Sequence, residues 1–366
     1  MKNIFIFGIN FILKSFYVIG LLFFFKNDNY AISLISFALI YSYLAPLLDV
    51  GLGIQLRNKF ANNLETEDLI IQYKSFISVT FIISIFILTI LFLINVKVGL
   101  MVSYVFFLAI SLMIDTFYVA TNISNKIIKV EISIYAILYI LIFSFYKFII
   151  GDILVLFFFI PLLLKVLYYL KHNFQLIPQF YNIFKLFSYK KFLSQILASF
   201  ISIIPLAILQ KNYTLFFVEI FLFARISNLL ISLSAQFISF YPLLVIDKLT
   251  NKFNGILKYT FYLELILIFI ISLIYTLYSL KNVYFILPFI FYYISTLFIN
   301  IKSTILQYLN ISFPLNIYIM WICFLILWFI LETTNIKIPI SLIFISTLVL
   351  FLFNKIIYTT IRRSNA

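Results

Sequence analysis

Only 10% of the 366 residues are charged, and the chain contains one cysteine and one histidine. An ordinary soluble domain is about 25% charged. With 65% of its residues hydrophobic, this chain carries far more apolar surface than a water-soluble core could absorb. Cys323 alone forms no intrachain disulfide, and with His172 as the only imidazole there is no cluster of soft ligands for zinc or iron. The chain is also short of acid, with 12 Asp and Glu against 26 Lys and Arg. The net charge of +14 is compatible with nucleic acid, but the basic residues lie in short stretches between apolar runs, which is a topological pattern, so no nucleic-acid partner is expected.

Enzymatic templates are missing as well. None of the seven glycines forms a P-loop, so the chain hydrolyses no ATP. A lone His172 at a span boundary completes no Ser, His and Asp set, although a Ser and Lys pair stays open. The reading is a non-enzyme without cofactor or metal.

What the sequence does have is length in apolar runs. A bilayer core of about 30 Å takes roughly 20 helical residues. Cutting wherever polar or turn residues cluster gives about twelve segments: 4 to 25, 31 to 56, 75 to 94, 99 to 120, 132 to 150, 153 to 170, 192 to 210, 215 to 245, 259 to 280, 284 to 307, 314 to 331 and 338 to 354. The cuts are least distinct around Gly151 and Lys337. Each segment reads as an α-helix, because lipid offers the backbone no hydrogen-bond partner and the alternation of barrel strands is absent. The amino end is kept as a first span, since no small-residue cleavage site follows it. The expected fold is therefore all-α integral membrane, with about 12 transmembrane helices.

Lys and Arg set the orientation. With the amino terminus in the cytoplasm, seventeen of the 26 fall on the cytoplasmic side, Lys302 among them, and five on the other. The remaining four, Lys14, Lys147, Lys165 and Arg225, lie within spans. Both termini are expected in the cytoplasm, with tiny outer loops and longest inner connections at 57 to 74 and 171 to 191. The halves also resemble each other: span two ends LLDVGLGIQLRNKF and span eight ends SFYPLLVIDKLTNKF, an offset of roughly 185 residues. This predicts two six-helix lobes, residues 1–185 and 186–366.

An ionisable group at membrane depth costs at least a few kcal/mol, so it marks a functional candidate. At 100° per residue Lys14 shares a narrow face with Asn3, Asn10 and Tyr17, and Arg225 shares one with Asn228, Ser232, Gln236 and Ser239. Asp115 lies on a face with Tyr104, Ser111, Tyr118 and Asn122. Asp115, Asp49 and Glu264 are candidate counter-ions or coupling residues. The plainer readings are a buried ion pair that only fixes packing for Lys14 and Arg225, and snorkelling to the interface for Lys147 and Lys165. The polar companions of Lys14 and Arg225 favour a wet, cationic cavity. Glu65, Glu67 and Asp68 read as a solvated loop, and His172 as exposed.

Residues 47 to 61, LLDVGLGIQLRNKFA, resemble the end of the second span of polysaccharide flippases of the Wzx type, which commonly read Asp-Phe-Gly-Leu-Gly followed by an Arg-Asn-Lys cluster. Asp49, Gly51, Gly53, Arg57, Asn58 and Lys59 match. A physical reading stands beside the resemblance: glycines let helices approach closely, and basic residues suit the carboxyl end of a helix. The resemblance implies the multidrug, oligosaccharidyl-lipid and polysaccharide exporter superfamily, with two six-helix lobes around a cavity that opens alternately to each side. It implies as cargo an undecaprenyl-pyrophosphate-linked O-antigen or capsular repeat unit, a bacterial inner membrane setting, and a polysaccharide polymerase and chain-length regulator as partners besides membrane lipids. Lys14 and Arg225, with Asn10, Asn228, Ser232 and Gln236, are the residues expected to bind such a substrate, because cations at mid-membrane hold a pyrophosphate. That assignment rests on depth and face. Competing readings are a cation-coupled multidrug antiporter of the same superfamily, an O-antigen polymerase, which carries a large Arg-rich outer loop not found here, and a membrane scaffold without transport. With cytoplasmic termini, a green fluorescent protein fused to the carboxyl end fluoresces and an alkaline phosphatase fused there stays inactive, and the opposite pair of readouts rejects the orientation.

Overall fold

The computed structural model describes residues 42–49, 67–121, 124–145, 152–176, 187–212, 261–277, 283–308, 315–334 and 339–364, with single positions among 9–21, 52–56 and 220–224. These residues are helical with short connections, and no strand occurs among them. A 3-10 helix, Ser42–Asp49, precedes α1 (Glu67–Ile94), α2 (Val96–Ala120), α3 (Ser124–Phe145) and α4 (Asp152–Asn173). Then follow α5 (Tyr189–Asn212), α6 (Phe261–Leu277), α7 (Val283–Tyr308), α8 (Leu315–Thr333) and α9 (Ser341–Ser364).

Among the described residues, six stretches are long and apolar enough to cross a membrane: Glu67–Ile94, Val98–Tyr118, Lys126–Phe145, Phe192–Leu209, Val283–Ser303 and Leu315–Glu332. Their outward faces are apolar rather than charged, Leu93 being 83% exposed and Phe86 67%. Together they make the chain a multi-pass membrane protein.

Local chemistry explains several boundaries. Glu67 and Asp68, expected in a solvated loop, instead stand exposed in the first turn of α1, where carboxylates complement the free N–H groups, while Glu65 lies outside the described residues. Twenty-eight residues span about 42 Å, more than the hydrocarbon core, so α1 has length to spare outside it. The chain reverses at Asn95, whose side-chain Oδ1 accepts from the Val98 N–H at 3.3 Å and so caps α2. Gly99 permits this tight reversal, since a Cβ there would stand 2.7 Å from the Phe92 ring. In α3 the helix starts at Ser124, eight residues before the expected span, so Glu131 lies inside it. Proline occurs inside α4, α5 and α7, at Pro161, Pro205 and Pro288, as membrane helices tolerate. Buried hydroxyls turn back on their own helices: Ser103 donates to the Gly99 carbonyl at 2.7 Å, Ser272 to Ile268 at 2.6 Å and Ser346 to Leu342 at 2.6 Å.

The chain divides into two compact units, Met1–Gln195 and Ile196–Ala366. In the first, α2 is the hub, packing on the 3-10 helix, α1 and α4, with α3 against α4. In the second, α9 lies against α7 and α8, and the Tyr292 hydroxyl of α7 donates to the Ile201 carbonyl of α5 at 2.8 Å. The α2–α4 pairing of unit 1 thus has a counterpart in the α7–α9 pairing of unit 2.

Beside α2, Asp49 ties the chain into a clasp. Its carboxylate accepts from the Gly53 N–H at 2.8 Å and from the Tyr73 hydroxyl of α1 at 2.7 Å. A Cβ on Gly53 would meet Asp49 Oδ2 at 2.5 Å, the Tyr73 hydroxyl at 2.9 Å and Thr116 Cγ2 at 3.1 Å. Two of those atoms are held by the hydrogen bonds just described, so relief requires breaking one. Gly53→Ala is expected to lower stability by about 1–3 kcal/mol, read as a lower Tm of the detergent-purified protein. An unchanged Tm would mean that the clasp yields freely.

Candidate functional site

Four ionisable side chains of unit 1 meet in one line. Lys14 Nζ lies 2.6 Å from Glu131 Oε2, Lys165 Nζ lies 2.6 Å from Glu131 Oε1, and the same ammonium reaches Asp115 Oδ1 at 2.6 Å. The order is cation, anion, cation, anion. The inner pair is almost sealed, with side-chain exposures of 4% for Glu131 and 2% for Lys165, while Lys14 and Asp115 at the ends are each 25% exposed. An isolated buried charge would be expensive, and the alternation gives every inner group two opposite neighbours.

Helical periodicity places each member. Asn10, Lys14 and Tyr17 repeat at four and three residues, so they share a face. Asn10 Nδ2 donates to Glu131 Oε2 at 2.6 Å, and the Tyr17 hydroxyl donates to the Phe157 carbonyl of α4 at 2.6 Å. On α3, Ile127, Glu131, Tyr135, Leu138 and Ile142 are all buried along one stripe. Tyr135 meets the Tyr17 ring edge-on at 5.2 Å, and Lys14 Nζ sits 6.0 Å from the Tyr135 ring centre, within cation–π reach. The Asn10 amide oxygen is buried and meets no donor among the described residues. Lys14 and Asn10 therefore set an ammonium beside a free acceptor.

A second polar group lies in unit 2. Lys302 of α7 bonds both carboxylate oxygens of Glu264 on α6 and donates to Asn354 Oδ1 of α9 at 2.6 Å. Asn354 Nδ2 donates to Glu264 Oε2 at 3.2 Å and to the Leu350 carbonyl at 3.0 Å. The three side chains close a ring that joins three helices.

Of the residues singled out in the sequence, Asn10, Lys14 and Asp115 come together in one cluster, Glu264 lies in unit 2, and Asp49 and Gly53 form the clasp. Tyr104, Ser111 and Tyr118 of the Asp115 face are buried as that face requires. His172 is exposed, as expected, against the Tyr168 ring. Arg225, Asn228, Ser232, Gln236 and Ser239, the motif residues Gly51, Arg57, Asn58 and Lys59, and Asn122, Lys147, Gly151 and Lys337 lie outside the described residues, or their side chains do.

Two expectations are corrected. Lys165 does not snorkel: α4 continues to Asn173, so Lys165 stands two turns inside the helix with Leu162, Val166 and Tyr169, all buried. With two carboxylates at hand, pairing is cheaper than reaching for the interface. Lys302, counted on the cytoplasmic side although it falls inside the expected span 284 to 307, is a buried residue of α7 with Glu264 as its countercharge. Glu131 was missed by cutting α3 too late. The signal was present, in that the stripe through Ile127, Tyr135, Leu138 and Ile142 passes through position 131.

No protein-family model and no curated protein matches the sequence. The fold does match solved structures. A multidrug resistance MATE family transporter of the MOP superfamily, in its outward-facing conformation, superposes with a TM-score of 0.59 at 13% identity over 98% of this chain and 94% of that one. A MATE in complex with Br-NRF gives 0.55 at 12% identity, over 98% and 95%. The chain has the MATE transporter fold. At this identity the likeness is one of architecture.

Glu131 is the member on which the line depends, since it alone bonds two lysines. Removing it leaves the Lys14 ammonium without that carboxylate and the sealed Lys165 ammonium with Asp115 alone. Glu131→Ala is expected to destabilise the protein by about 3–5 kcal/mol, and Lys14→Met added to it should restore part of the loss. A double-mutant cycle on Tm or denaturant midpoint measures this, and strict additivity would exclude the coupling.

Proposed function

We propose that this chain is a flippase carrying an undecaprenyl-pyrophosphate-linked O-antigen or capsular repeat unit across the bacterial inner membrane by alternating access, without enzymatic chemistry. The proposal includes twelve spans in two six-helix lobes, residues 1–185 and 186–366, with both termini in the cytoplasm. A polysaccharide polymerase and chain-length regulator act next to it.

The carrying observation is the accessible end of the unit 1 line, within a transporter fold. Among the described residues Lys14 has one carboxylate partner, Glu131, and Glu131 is already held by Asn10 and Lys165. A pyrophosphate oxygen can therefore replace Glu131 on Lys14 while Glu131 keeps two donors, so the exchange leaves no buried charge unpaired. The free Asn10 oxygen next to it accepts a sugar or water hydroxyl. Arg225, with Asn228, Ser232 and Gln236 on its face, is the proposed cationic contact from the second half of the sequence. The Asp49, Gly51, Gly53, Arg57, Asn58 and Lys59 pattern supports the flippase reading over other cargo.

A second reading, the cation-coupled multidrug antiporter, draws on the other end of the line. There Asp115 is a partly exposed carboxylate bonded to Lys165, an arrangement suited to an ion or proton. The two readings part in a deletion strain. The flippase predicts lipid-linked repeat units accumulating on the cytoplasmic face and loss of surface polysaccharide. It further predicts that Lys14→Ala and Arg225→Ala abolish export while the protein still inserts. Normal surface polysaccharide with raised drug sensitivity would select the antiporter instead.

A further inference from the structure

The ring in unit 2 has a geometry that a mere ion pair does not require. Three oxygens, both from Glu264 and one from Asn354, converge on a single nitrogen, the Lys302 ammonium. Both carboxylate oxygens plus an amide oxygen make the donor set of a hard monovalent cation stripped of its water. Asn354 is fixed in the orientation that turns its oxygen inward, because its amide nitrogen is committed to Glu264 and to the Leu350 carbonyl. The group is buried, Lys302 being 10% and Glu264 9% exposed, so water does not compete freely for those oxygens.

We propose that the Lys302 ammonium occupies a monovalent-cation site formed by Glu264 and Asn354, so that unit 2 carries its cation covalently and exchanges none with the medium. Unit 1 differs. There Lys165 bridges two separate carboxylates, one oxygen from each, and the line continues to two accessible ends. Ion exchange during a transport cycle would then fall to unit 1 and not to unit 2. The inference concerns the ion and is independent of the cargo named above.

The test uses the full-length protein in detergent, with Tm measured in sodium, potassium or choline chloride at equal ionic strength. Wild type should show the same Tm in all three. Lys302→Ala, which leaves the three oxygens facing a vacated volume, should have a lower Tm in choline and gain about 5 °C in sodium or potassium, in a saturable manner. Lys302→Ser, which vacates nearly the same volume, should behave likewise. Lys302→Ala combined with Glu264→Gln should lose the response. Recovery of folded protein only when small cations are present during purification also supports the site. A wild-type response to sodium equal to that of the variant overturns the proposal. So does the failure of every small cation to stabilise or rescue both single variants, which would leave Lys302 as a packing ion pair.

Discussion

Lys165 holds unit 1 together through one ammonium group. From α4 it reaches Asp115 on α2 and Glu131 on α3, and Glu131 passes the contact on to Lys14 and Asn10 of the first segment. In lipid there is little hydrophobic force between helices, because acyl chains are as apolar as leucine. Helix association then rests on close packing and on polar bonds that have no better partner elsewhere. A sealed ammonium with two carboxylates is such a bond, and its directionality fixes which faces of three helices meet. The buried aromatic side chains Tyr104, Phe117, Tyr135 and Tyr169 fill the volume around the faces so defined.

Unit 2 solves the same problem with a smaller set of groups. Its ring uses one cation, one anion and one amide, and closes on itself. Trp321, Trp328, Phe289 and Tyr292 are among its largest sealed side chains, in edge-on and tilted contacts. Ser272, Thr276, Ser295 and Ser346 bond their own helices and so present little polarity to neighbours. The contrast between an open line and a closed ring is what gives the two units different chemical prospects. An open line can trade a partner for a ligand. A closed ring can only be broken.

Charge exchange at the end of such a line is physically economical for a carrier. Glu131, held from three sides, stays neutralised whether or not Lys14 is bonded to it, so the interior is not left with a lone charge when the partner of Lys14 changes. Groups at both ends of the line, of opposite sign, are each 25% exposed, and the sealed pair lies between them. This places the proposed cargo at Lys14 and the ion reading at Asp115 within one network.

The sequence by itself determined that the chain is helical and multi-spanning, because 10% charge and repeated apolar runs leave the backbone no alternative in lipid. It also marked Lys14 and Asp115, since a charge inside an apolar run is conspicuous whatever surrounds it, and it brought Asn10 and Tyr17 onto the Lys14 face by simple periodicity. Glu131, Lys165 and Lys302 escaped for a common reason. Each lies near the edge of an apolar run, where composition alone reads a charge as belonging to the interface. α3 and α4 run past those edges, from Ser124 and to Asn173, and for all three residues the countercharges that make burial tolerable come from other helices. Whether a lysine near a span end snorkels or turns inward depends on whether a carboxylate from another helix waits within bonding distance, and only the tertiary structure decides that.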